Sequence, residues 1–458
     1  MLNSNVILIL IQAIMFSLAA LFGYGLGDVT VCIYATLVSY VISFIIVNRN
    51  KVNILNLSTF FLIGFGLLIL GRFIAYLIYP SRYMLNEIVC FDFFFTYCLT
   101  DIELVNNLLF FHLTLLSFCL GYIRIIHIDS QTNKSFSLFK NKVSNQKIKL
   151  FLLPVAYFCL IALFYQSINT IQLALSGGYM ALYNNQAEAY QTNFTLIINS
   201  SLIAILAIIF TSKHTNVLNR NFKILFYGLN FLGLFSILSG SRNVFIGAIF
   251  VLLWYFFYEK KIPKIYYGLI SLLGIVIIAS TNYLANISGV RGAGVESSMQ
   301  ANIAEAFFAQ GGTFFLMNEV FKMDDAPFLG YIKTILPGSQ LLFIKLGVTE
   351  RYMFDWGSSL AYNLDKGLYE KGFGLGWTIF ADFYLIAFSF MPFYLVLIFF
   401  WGRILNLLDT KRTQFIQAVS FIFAFYVFAL PRNSLSPLLF TILIYILLIS
   451  LFKMRIKQ

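Results

Sequence analysis

The chain has 458 residues, of which 60% are apolar and 11% are charged. In soluble domains roughly a quarter of all residues are charged, so this composition excludes a soluble globular protein. The net charge of +12 needs no nucleic-acid partner, because basic membrane-protein loops and their attraction to anionic lipid headgroups account for it.

Apolar runs long enough to cross a bilayer recur along the whole chain. A helix needs around 20 residues to span about 30 Å of hydrocarbon. The runs that meet this requirement lie at 5–24, 28–48, 56–79, 107–126, 149–173, 193–212, 223–239, 243–258, 265–285, 376–402, 414–430 and 434–453. We therefore predict an all-α, polytopic integral membrane protein with about twelve transmembrane helices.

Basic residues concentrate in every second gap between these helices, and short basic loops stay in the cytoplasm. Twenty of the 31 lysines and arginines lie there: Arg49, Lys51, Arg124, Lys134, Lys140, Lys142, Lys147, Lys149, Lys213, Arg220, Lys223, Lys260, Lys261, Lys264, Arg403, Lys411, Arg412, Lys453, Arg455 and Lys457. This pattern predicts that both termini are cytoplasmic. No basic residue precedes the first helix, so we expect it to be retained rather than cleaved as a secretory signal.

One predicted outer loop, residues 286–375, is far longer than the others. It separates helices one to nine, in 1–285, from helices ten to twelve, in 376–458. The loop is too apolar for disorder, so we expect it to fold against the membrane surface. Amphipathic helices are predicted at 299–322 and at 328–346, the second interrupted at Pro337-Gly338. Residues 88–99 are too short to span and are predicted to form a re-entrant or interfacial segment.

No motif for a metal or a cofactor is present. The five cysteines lack metal-ligand spacing, and although Cys90 and Cys98 both face the outside, we expect them to remain unpaired. The glycine-rich run at 372–376 follows no strand, so it is better explained as a hinge or a close approach to a ligand than as a nucleotide motif. Walker motifs, His/Cys clusters, Asp-x-Asp pairs and nucleophile elbows are absent from the sequence. We therefore predict chemistry without a cofactor and without a metal.

Three ionisable residues fall inside predicted helices near their outer ends. An ionisable group in a membrane span is costly unless it faces a polar cavity or a partner, so Arg72, Asp382 and His112 are candidate site residues. The structural alternative is a pair between Arg72 and Asp382 that joins two helices. His112 is the weakest of the three, because a single histidine near an interface is usually a satisfied polar residue.

Two Arg-Asn dipeptides precede helices whose N-termini are predicted to point outward. Arg242-Asn243 and Arg432-Asn433 place a guanidinium beside the unpaired N–H groups of a helix start, a combination suited to phosphate. Arg291 and Arg351 add further guanidinium groups in the outer segments. The alternative is that these arginines only anchor helices to lipid phosphates. Because the dipeptide occurs twice, we favour an outward-facing pyrophosphate site.

These features resemble one family. The features are the run Ser-Gly-Ser-Arg-Asn at 239–243, the large outer loop that follows, the run from Gly374 to Tyr384 (Gly-Leu-Gly-Trp-Thr-Ile-Phe-Ala-Asp-Phe-Tyr) and the final Arg-Asn turn. Wzy-type O-antigen or oligosaccharide repeat-unit polymerases of bacterial inner membranes have similar features. The resemblance covers about 230–440 by motif and the whole chain by topology. It implies an enzyme that joins undecaprenyl-pyrophosphate-linked repeat units at the periplasmic face. Arg242, Arg291 and Arg432 match positions expected to matter in the family, and Arg351 matches less clearly.

The resemblance and the residues together define the expected chemistry. Pyrophosphate is a good leaving group, so arginines that stabilise its charge, including Arg72, replace a metal. A general base is needed for the acceptor hydroxyl; the candidates are Glu305 and Asp382, followed by Glu188 and Asp355. Outer tyrosines and Trp356 offer faces for sugars: Tyr179, Tyr183, Tyr190, Tyr352, Tyr362 and Tyr369. Expected partners are the lipid-linked oligosaccharide, membrane lipid, a chain-length regulator and a flippase.

Four alternatives remain open. An O-antigen ligase is expected to carry a histidine in its large outer loop, and 286–375 contains none. A lipid-linked oligosaccharide flippase is expected to show two similar halves and charges at several depths. A structural or sensory protein would not concentrate arginines on one face. An integral acyltransferase is expected to use an active-site histidine, and His112 is the only one on the outer side.

Overall fold

The computed structural model describes residues 4–49, 55–91, 97–123, 145–184, 189–212, 216–258, 260, 274, 298–323, 325–336, 338–348, 350–371, 374–410 and 413–453. The helices outside the large loop are α1 (Ser4–Ala20, continued by a π-helical turn Leu21–Gly25), α2 (Val29–Asn48), α3 (Leu57–Leu68), α4 (Gly71–Ile78), α5 (Leu85–Ile88), α6 (Asp101–Tyr122), α7 (Asn145–Lys147, followed by a π-helical turn Ile148–Leu152), α8 (Leu153–Asn184), α9 (Ala189–Thr211), α10 (Asn216–Phe235, followed by a 3-10 turn Ser236–Ser239) and α11 (Arg242–Phe257).

The large loop contains α12 (Met299–Gln310), α13 (Thr313–Phe321), α14 (Phe328–Ile335), α15 (Gln340–Lys345), α16 (Trp356–Leu364) and α17 (Lys366–Glu370), with a 3-10 turn at Arg351–Met353. After it come α18 (Ile379–Ile386), α19 (Met391–Thr410), α20 (Gln414–Tyr426), a 3-10 turn at Leu430–Arg432 and α21 (Ser436–Lys453). Two short strands, β1 (Cys90–Phe91) and β2 (Tyr97–Cys98), form an antiparallel hairpin. Apart from this hairpin, the regular elements of the described chain are helices, so the all-α class is confirmed.

The multi-pass architecture is also confirmed. Seven segments of the described chain are long and apolar enough to span a membrane: Ser4–Gly25, Val29–Asn48, Asp101–Tyr122, Ile148–Gly178, Phe194–Thr211, Asn216–Ser239 and Met391–Thr410. The bent pair α3–α4 passes the same test as one unit, whereas α11, α20 and α21 are shorter. Apart from residue 274, the predicted helix at 265–285 lies outside the described residues. The total of twelve, the cytoplasmic termini and the outward position of the loop stay predictions.

Helix α6 is the most buried of the seven candidate membrane spans. A capping box between Thr100 and Glu103 begins the helix, and its far end packs against α19 through backbone atoms. A side chain at Gly121 would collide with the Phe399 carbonyl, and one at Gly402 with the Phe118 carbonyl. Small residues of this kind let membrane helices approach closely.

Phenylalanine rings connect α6 to the large loop. Phe65 of α3 contacts Phe111 of α6 at 5.8 Å and Phe380 of α18 at 5.5 Å between ring centroids. Phe314 of α13 contacts Phe111 at 5.5 Å. Such offset and edge contacts stabilise a packed core, so the loop helices pack directly on the membrane helices.

Two predicted membrane helices are not continuous. The run 56–79 is bent by 69° between α3 and α4, so Arg72 lies just after a bend rather than inside a straight helix. The run 376–402 is broken at Phe388 and Ser389, which have φ values of 53° and 58°, and the long helix begins at Met391. Apolar composition gives no signal for these breaks, since the residues on both sides of each break are predominantly apolar.

Of three smaller predictions, two change and one is confirmed. The helix predicted at 299–322 is divided into two helices at Gly311-Gly312. Glycine has a low helix propensity, so a pair of glycines favours a break in a long helical pattern. The helix predicted at 328–346 is interrupted as expected, with Gly338 at φ 93°. The expectation that Cys90 and Cys98 stay unpaired is wrong, because a disulfide joins them across the β1–β2 hairpin.

Candidate functional site

Helix α12 of the large loop brings several predicted site residues together. It packs along α4, where a side chain at Gly71 would collide with the Phe307 carbonyl and one at Gly311 with the backbone nitrogen of Arg72. Gln300 donates a hydrogen bond of 2.7 Å to the Ile78 carbonyl at the other end of α4. The two helices are therefore in contact along their whole length.

Arg72 is buried at the start of α4, with 7% of its surface exposed. Its guanidinium donates hydrogen bonds to the carbonyls of Cys90 and Ile88. It also lies 4.4 Å from the Phe308 ring centroid and 4.7 Å from that of Phe315. These cation–π contacts and carbonyl bonds join α4, the disulfide-linked hairpin, α12 and α13, so the contacts support a role in positioning these segments.

Arg432 also reaches the C-terminal end of α12. Its Nη1 donates a hydrogen bond of 3.1 Å to Oε1 of Gln310, and the Arg432 side chain is half-buried. Asn433 beside it is exposed. Since Gln310 is followed by Gly311, which contacts Arg72, the two arginines approach the same end of one helix. No sequence pattern singles out Gln310, the residue to which Arg432 donates.

Arg242 begins α11 and is buried, with 6% of its surface exposed. One turn further, Ile246 lies in a buried cluster with Leu67, Leu68 and Phe428, against which Phe307 of α12 also packs. The N-terminal end of α11, which carries Arg242, therefore lies beside the α3–α4 bend and beside the chain segment that leads to Arg432. The amide oxygen of Asn243 has no hydrogen-bond partner among the described residues.

Asp382 is fully buried in the first turn of α18. Its Oδ1 accepts a hydrogen bond of 2.6 Å from Trp377 Nε1, and its Oδ2 accepts bonds of 2.8 Å from the Ser434 hydroxyl and 2.6 Å from the Leu435 N–H. The carboxylate therefore binds the segment that directly follows Arg432-Asn433. The alternative pair between Asp382 and Arg72 is not formed.

The prediction that both Arg-Asn dipeptides lie directly at helix starts is wrong for the second dipeptide. Arg242 is the first residue of a helix, whereas Arg432 ends a 3-10 turn, and α21 begins only at Ser436. Backbone N–H groups at a helix start bind anions, and at the second turn an N–H is bound by Asp382 itself. The dipeptide repeat in the sequence does not carry this information, because the carboxylate comes from a distant helix.

Glu305 is half-buried on α12, facing the segment after α4. Its Oε2 accepts a hydrogen bond of 2.6 Å from the Tyr83 hydroxyl. The Tyr83 ring stacks on Phe308 at 4.7 Å, and Phe308 in turn contacts Arg72. One continuous set of contacts thus includes Glu305 and Arg72. His112, in contrast, is buried among the membrane helices, where its Nε2 lies 3.0 Å from the Gln12 carbonyl.

Three of the predicted sugar-stacking tyrosines meet in the large loop. Tyr352 stacks on Tyr362 with ring centroids 4.0 Å apart, and Tyr369 contacts Tyr362 edge-on at 5.6 Å. Arg351 is exposed and directly precedes Tyr352. Trp356 is buried, donating to the Pro327 carbonyl at 3.2 Å, so it is not available for stacking. Arg291 and Glu188 lie outside the described residues, as do the side chains of Tyr179, Tyr183 and Tyr190.

Two charged residues of the large loop, Lys322 and Lys333, were not among the site residues predicted from the sequence. Lys333 contacts Asp355. Burial and the charge of Arg351 lower the pKa of Lys333 to about 7. The negative charge of Asp382 acts in the opposite direction, as the Asp355 carboxylate must also do. Lys322 lies 2.6 Å from Glu103. Although burial acts against it, hydrogen bonds to Glu103 and Tyr97 raise the pKa of Lys322. Single lysines on amphipathic helices give no sequence signal, since most are solvated.

Within the described parts of the chain, no group of three or more His, Cys, Asp or Glu side chains is arranged to hold a metal ion. The polar groups that converge around α12 are arginines, amides, one glutamate and a tyrosine hydroxyl. Guanidinium and amide groups bind phosphate oxygens by charge-assisted hydrogen bonds, and a carboxylate beside them can accept a proton. The arrangement is therefore suited to a phosphorylated, hydroxyl-bearing substrate.

Comparisons with known proteins identify the family. The family model of the O-antigen polysaccharide polymerase Wzy matches residues 4–457, which is nearly the whole chain. Neither the curated proteins nor the solved structures contain a match. The family match agrees with the multi-pass helical architecture and with an enzyme that acts on lipid-linked oligosaccharide in a membrane. The chain belongs to the O-antigen polysaccharide polymerase Wzy family.

Proposed function

We propose that this protein polymerises undecaprenyl-pyrophosphate-linked oligosaccharide repeat units at the periplasmic face of the bacterial inner membrane, for O-antigen or a related surface polysaccharide. The observation that carries the proposal is the convergence of Arg72 and Arg432 on the end of α12, where the loop meets the bent pair α3–α4. The pyrophosphate of a polyprenyl lipid lies at the outer interface, so a site at such a junction is reachable from the bilayer.

The arginines divide into two roles. Arg432 and Arg242 hold the pyrophosphate, with Asn243 and Asn433 as further donors, and Arg291 and Arg351 contribute from the outer segments. Arg72 positions the hairpin and α12 through its carbonyl and ring contacts. Bidentate guanidinium bonds stabilise the charge that develops on the leaving pyrophosphate. The reaction then proceeds without a metal.

Glu305 is the proposed general base. It removes the proton of the acceptor hydroxyl, whose oxygen forms a bond to the anomeric carbon of the growing chain. The bond from that carbon to the pyrophosphate oxygen breaks, and undecaprenyl pyrophosphate leaves with the electron pair. The growing chain is thereby transferred to the non-reducing end of the new unit. The Tyr83 hydroxyl, which donates to Glu305 at 2.6 Å, orients the carboxylate.

Asp382 is proposed as a positioning residue, since its oxygens already accept three hydrogen bonds from protein groups. The cluster of Tyr352, Tyr362 and Tyr369 is proposed to bind sugar rings of the substrates, because an aromatic face suits the apolar face of a sugar. A flippase supplies the lipid-linked units and a chain-length regulator acts on the product; both are expected partners.

Gene deletion tests this function. In a strain without the gene, we expect the surface polysaccharide ladder on a gel to collapse to core plus a single repeat unit, and the wild-type gene to restore it. Accumulation of lipid-linked polymer that never reaches the core would instead indicate a ligase. Accumulation of unpolymerised, inward-facing units would indicate a flippase, and an unchanged ladder would refute the proposal for this polymer.

A further inference from the structure

A charged pair in the large loop lies close to the Arg432 turn. Lys333 of α14 contacts Asp355, the N-cap residue of α16, and the side chains are 18% and 14% exposed. The two carboxylate oxygens have separate tasks: Oδ1 accepts the Ser358 N–H at 2.8 Å and caps α16, whereas Oδ2 accepts from the Lys333 ammonium. The capping task does not depend on the lysine.

The position of Lys333 connects it to the candidate site. The Ser436 hydroxyl at the start of α21 donates to the Lys333 carbonyl at 3.4 Å. Two residues earlier, Ser434 donates to Asp382, in the segment that directly follows Arg432-Asn433. Arg351 and Asp382 both lie close enough to act electrostatically on the Lys333 ammonium. Lys333 therefore belongs to the same outer region as Arg351 and Arg432.

The ammonium is only partly satisfied. A lysine has three N–H donors, and Asp355 is the one hydrogen-bond acceptor that the described residues offer to Lys333. The Lys333 side chain is largely buried, at 18% exposed, and its two further N–H donors can bind additional acceptors, which a largely buried cation favours. A pyrophosphate group carries several charged oxygens and would supply them.

We propose that Lys333 is an anion-binding residue of the donor site, and that Asp355 occupies its ammonium until the pyrophosphate of a polyprenyl pyrophosphate replaces the carboxylate. The inference rests on the proposed function and deepens it. The Lys333–Asp355 contact closes the site in the absence of substrate, and Asp355 continues to cap α16 through its other oxygen when substrate binds. The alternative is an ion pair that only joins α14 to α16.

Binding of farnesyl pyrophosphate to the purified full-length protein in phosphatidylcholine nanodiscs distinguishes an anion-binding lysine from an ion pair that only joins α14 to α16. The variants are Lys333→Met, Asp355→Asn and the double variant, with exposed Lys345→Met as the matched control. Asparagine is a good N-cap, so Asp355→Asn preserves the start of α16 and frees the lysine. We expect Lys333→Met to weaken binding at least about tenfold, Asp355→Asn to bind as tightly as the wild type or tighter, and Lys345→Met to have no effect.

The double variant keeps the test valid if a single variant is unstable, because it leaves no unpaired charge. Weak binding by a folded double variant supports the proposal. Wild-type affinity in folded Lys333→Met or in the double variant overturns it, as does equal, Lys333-dependent competition by phosphatidylglycerol, which would indicate a membrane-phosphate site. If Arg432→Ala weakens binding and Lys333→Met does not, only this inference fails. If the wild-type protein does not bind the probe, the pyrophosphate site of the proposed function fails as well.

Discussion

The carboxylate of Asp382 occupies the place at the start of the last helix where a bound anion was expected. It accepts from the Leu435 N–H, and a negative charge is favourable beside a helix start. Asp409 acts in the same way at the start of α3, where it accepts the Leu57 N–H at 3.0 Å and the Ser58 hydroxyl at 2.5 Å. Each carboxylate thus fixes the beginning of a helix distant in sequence, which is a structural role.

Replacing Asp382 by Asn tests this role. An amide cannot accept all three hydrogen bonds, so at least one buried donor loses its partner, at a cost of about 1–3 kcal/mol. We expect Asp382→Asn to lower the melting temperature in detergent and to reduce polymer in proportion to the loss of folded protein. An inactive variant that melts at the wild-type temperature would instead make Asp382 a catalytic base.

Replacing the arginines tests the pyrophosphate site. We expect Arg242→Ala and Arg432→Ala each to abolish polymer while membrane insertion stays normal, as measured by the polysaccharide ladder and by membrane fractionation. Arg432→Lys should retain little activity, because lysine cannot form a bidentate contact. Arg403→Ala, at the predicted cytoplasmic end of α19, is the control and should behave as wild type. Normal polymer from both alanine variants would refute the site.

The contact between α4 and α12 holds the large loop on the membrane helices. Gly71 and Gly311 face each other's backbones across it, and neither position has space for a methyl group. The apolar periodicity of 299–322 predicts a helix near the interface but not its partner, because any apolar surface satisfies an amphipathic helix. The Ala-rich face of α12, with Ala301, Ala304 and Ala306 buried, is the only sequence signal for such close packing.

Gly311→Ala tests this contact. The added methyl group must displace the Arg72 backbone, and overpacking of this kind costs about 1–3 kcal/mol. We expect a lower melting temperature and less polymer, whereas Gly247→Ala, where the described structure leaves open space within α11, should be neutral or slightly stabilising. Equal behaviour of the two variants would contradict the packing of α12 on α4.

The disulfide-linked hairpin supplies one of the two carbonyls that bind Arg72, that of Cys90. Its cysteines are eight residues apart, and closing so short a loop stabilises the fold by about 2–3 kcal/mol in the chain-entropy model. We expect three maleimide groups to add to the unreduced, denatured protein and five after reduction, since three of the five cysteines are free. Five additions without reduction would show that the hairpin is open. Cys90→Ser/Cys98→Ser should lower both the melting temperature and the amount of polymer.

At the level of the whole protein, the sequence was sufficient for the class and the family but not for the site geometry. Apolar runs and basic gaps predict a helical membrane protein because the bilayer acts on composition alone. The convergence of Arg72, Gln310 and Arg432 depends on helix bends and on contacts between residues more than a hundred positions apart, which no local pattern records. The tyrosine cluster is intermediate: its members were named from composition, and only folding brings them together.

Topology is the remaining prediction at this level. Reporter fusions should place 286–375 in the periplasm and both termini in the cytoplasm, since the basic residues lie in alternate gaps. A cytoplasmic signal from a fusion within 299–321 would contradict the outward site and, with it, the proposed access to undecaprenyl pyrophosphate.

Synthesis by the purified protein is the most direct test. The wild-type protein in nanodiscs, supplied with undecaprenyl-pyrophosphate-linked repeat units and EDTA, should produce a ladder of lipid-linked oligomers and release undecaprenyl pyrophosphate, whereas Arg432→Ala should produce neither. A folded wild-type protein that forms no ladder with its own repeat unit, or a ladder that Arg432→Ala leaves unchanged, would contradict an arginine-based, metal-independent polymerase.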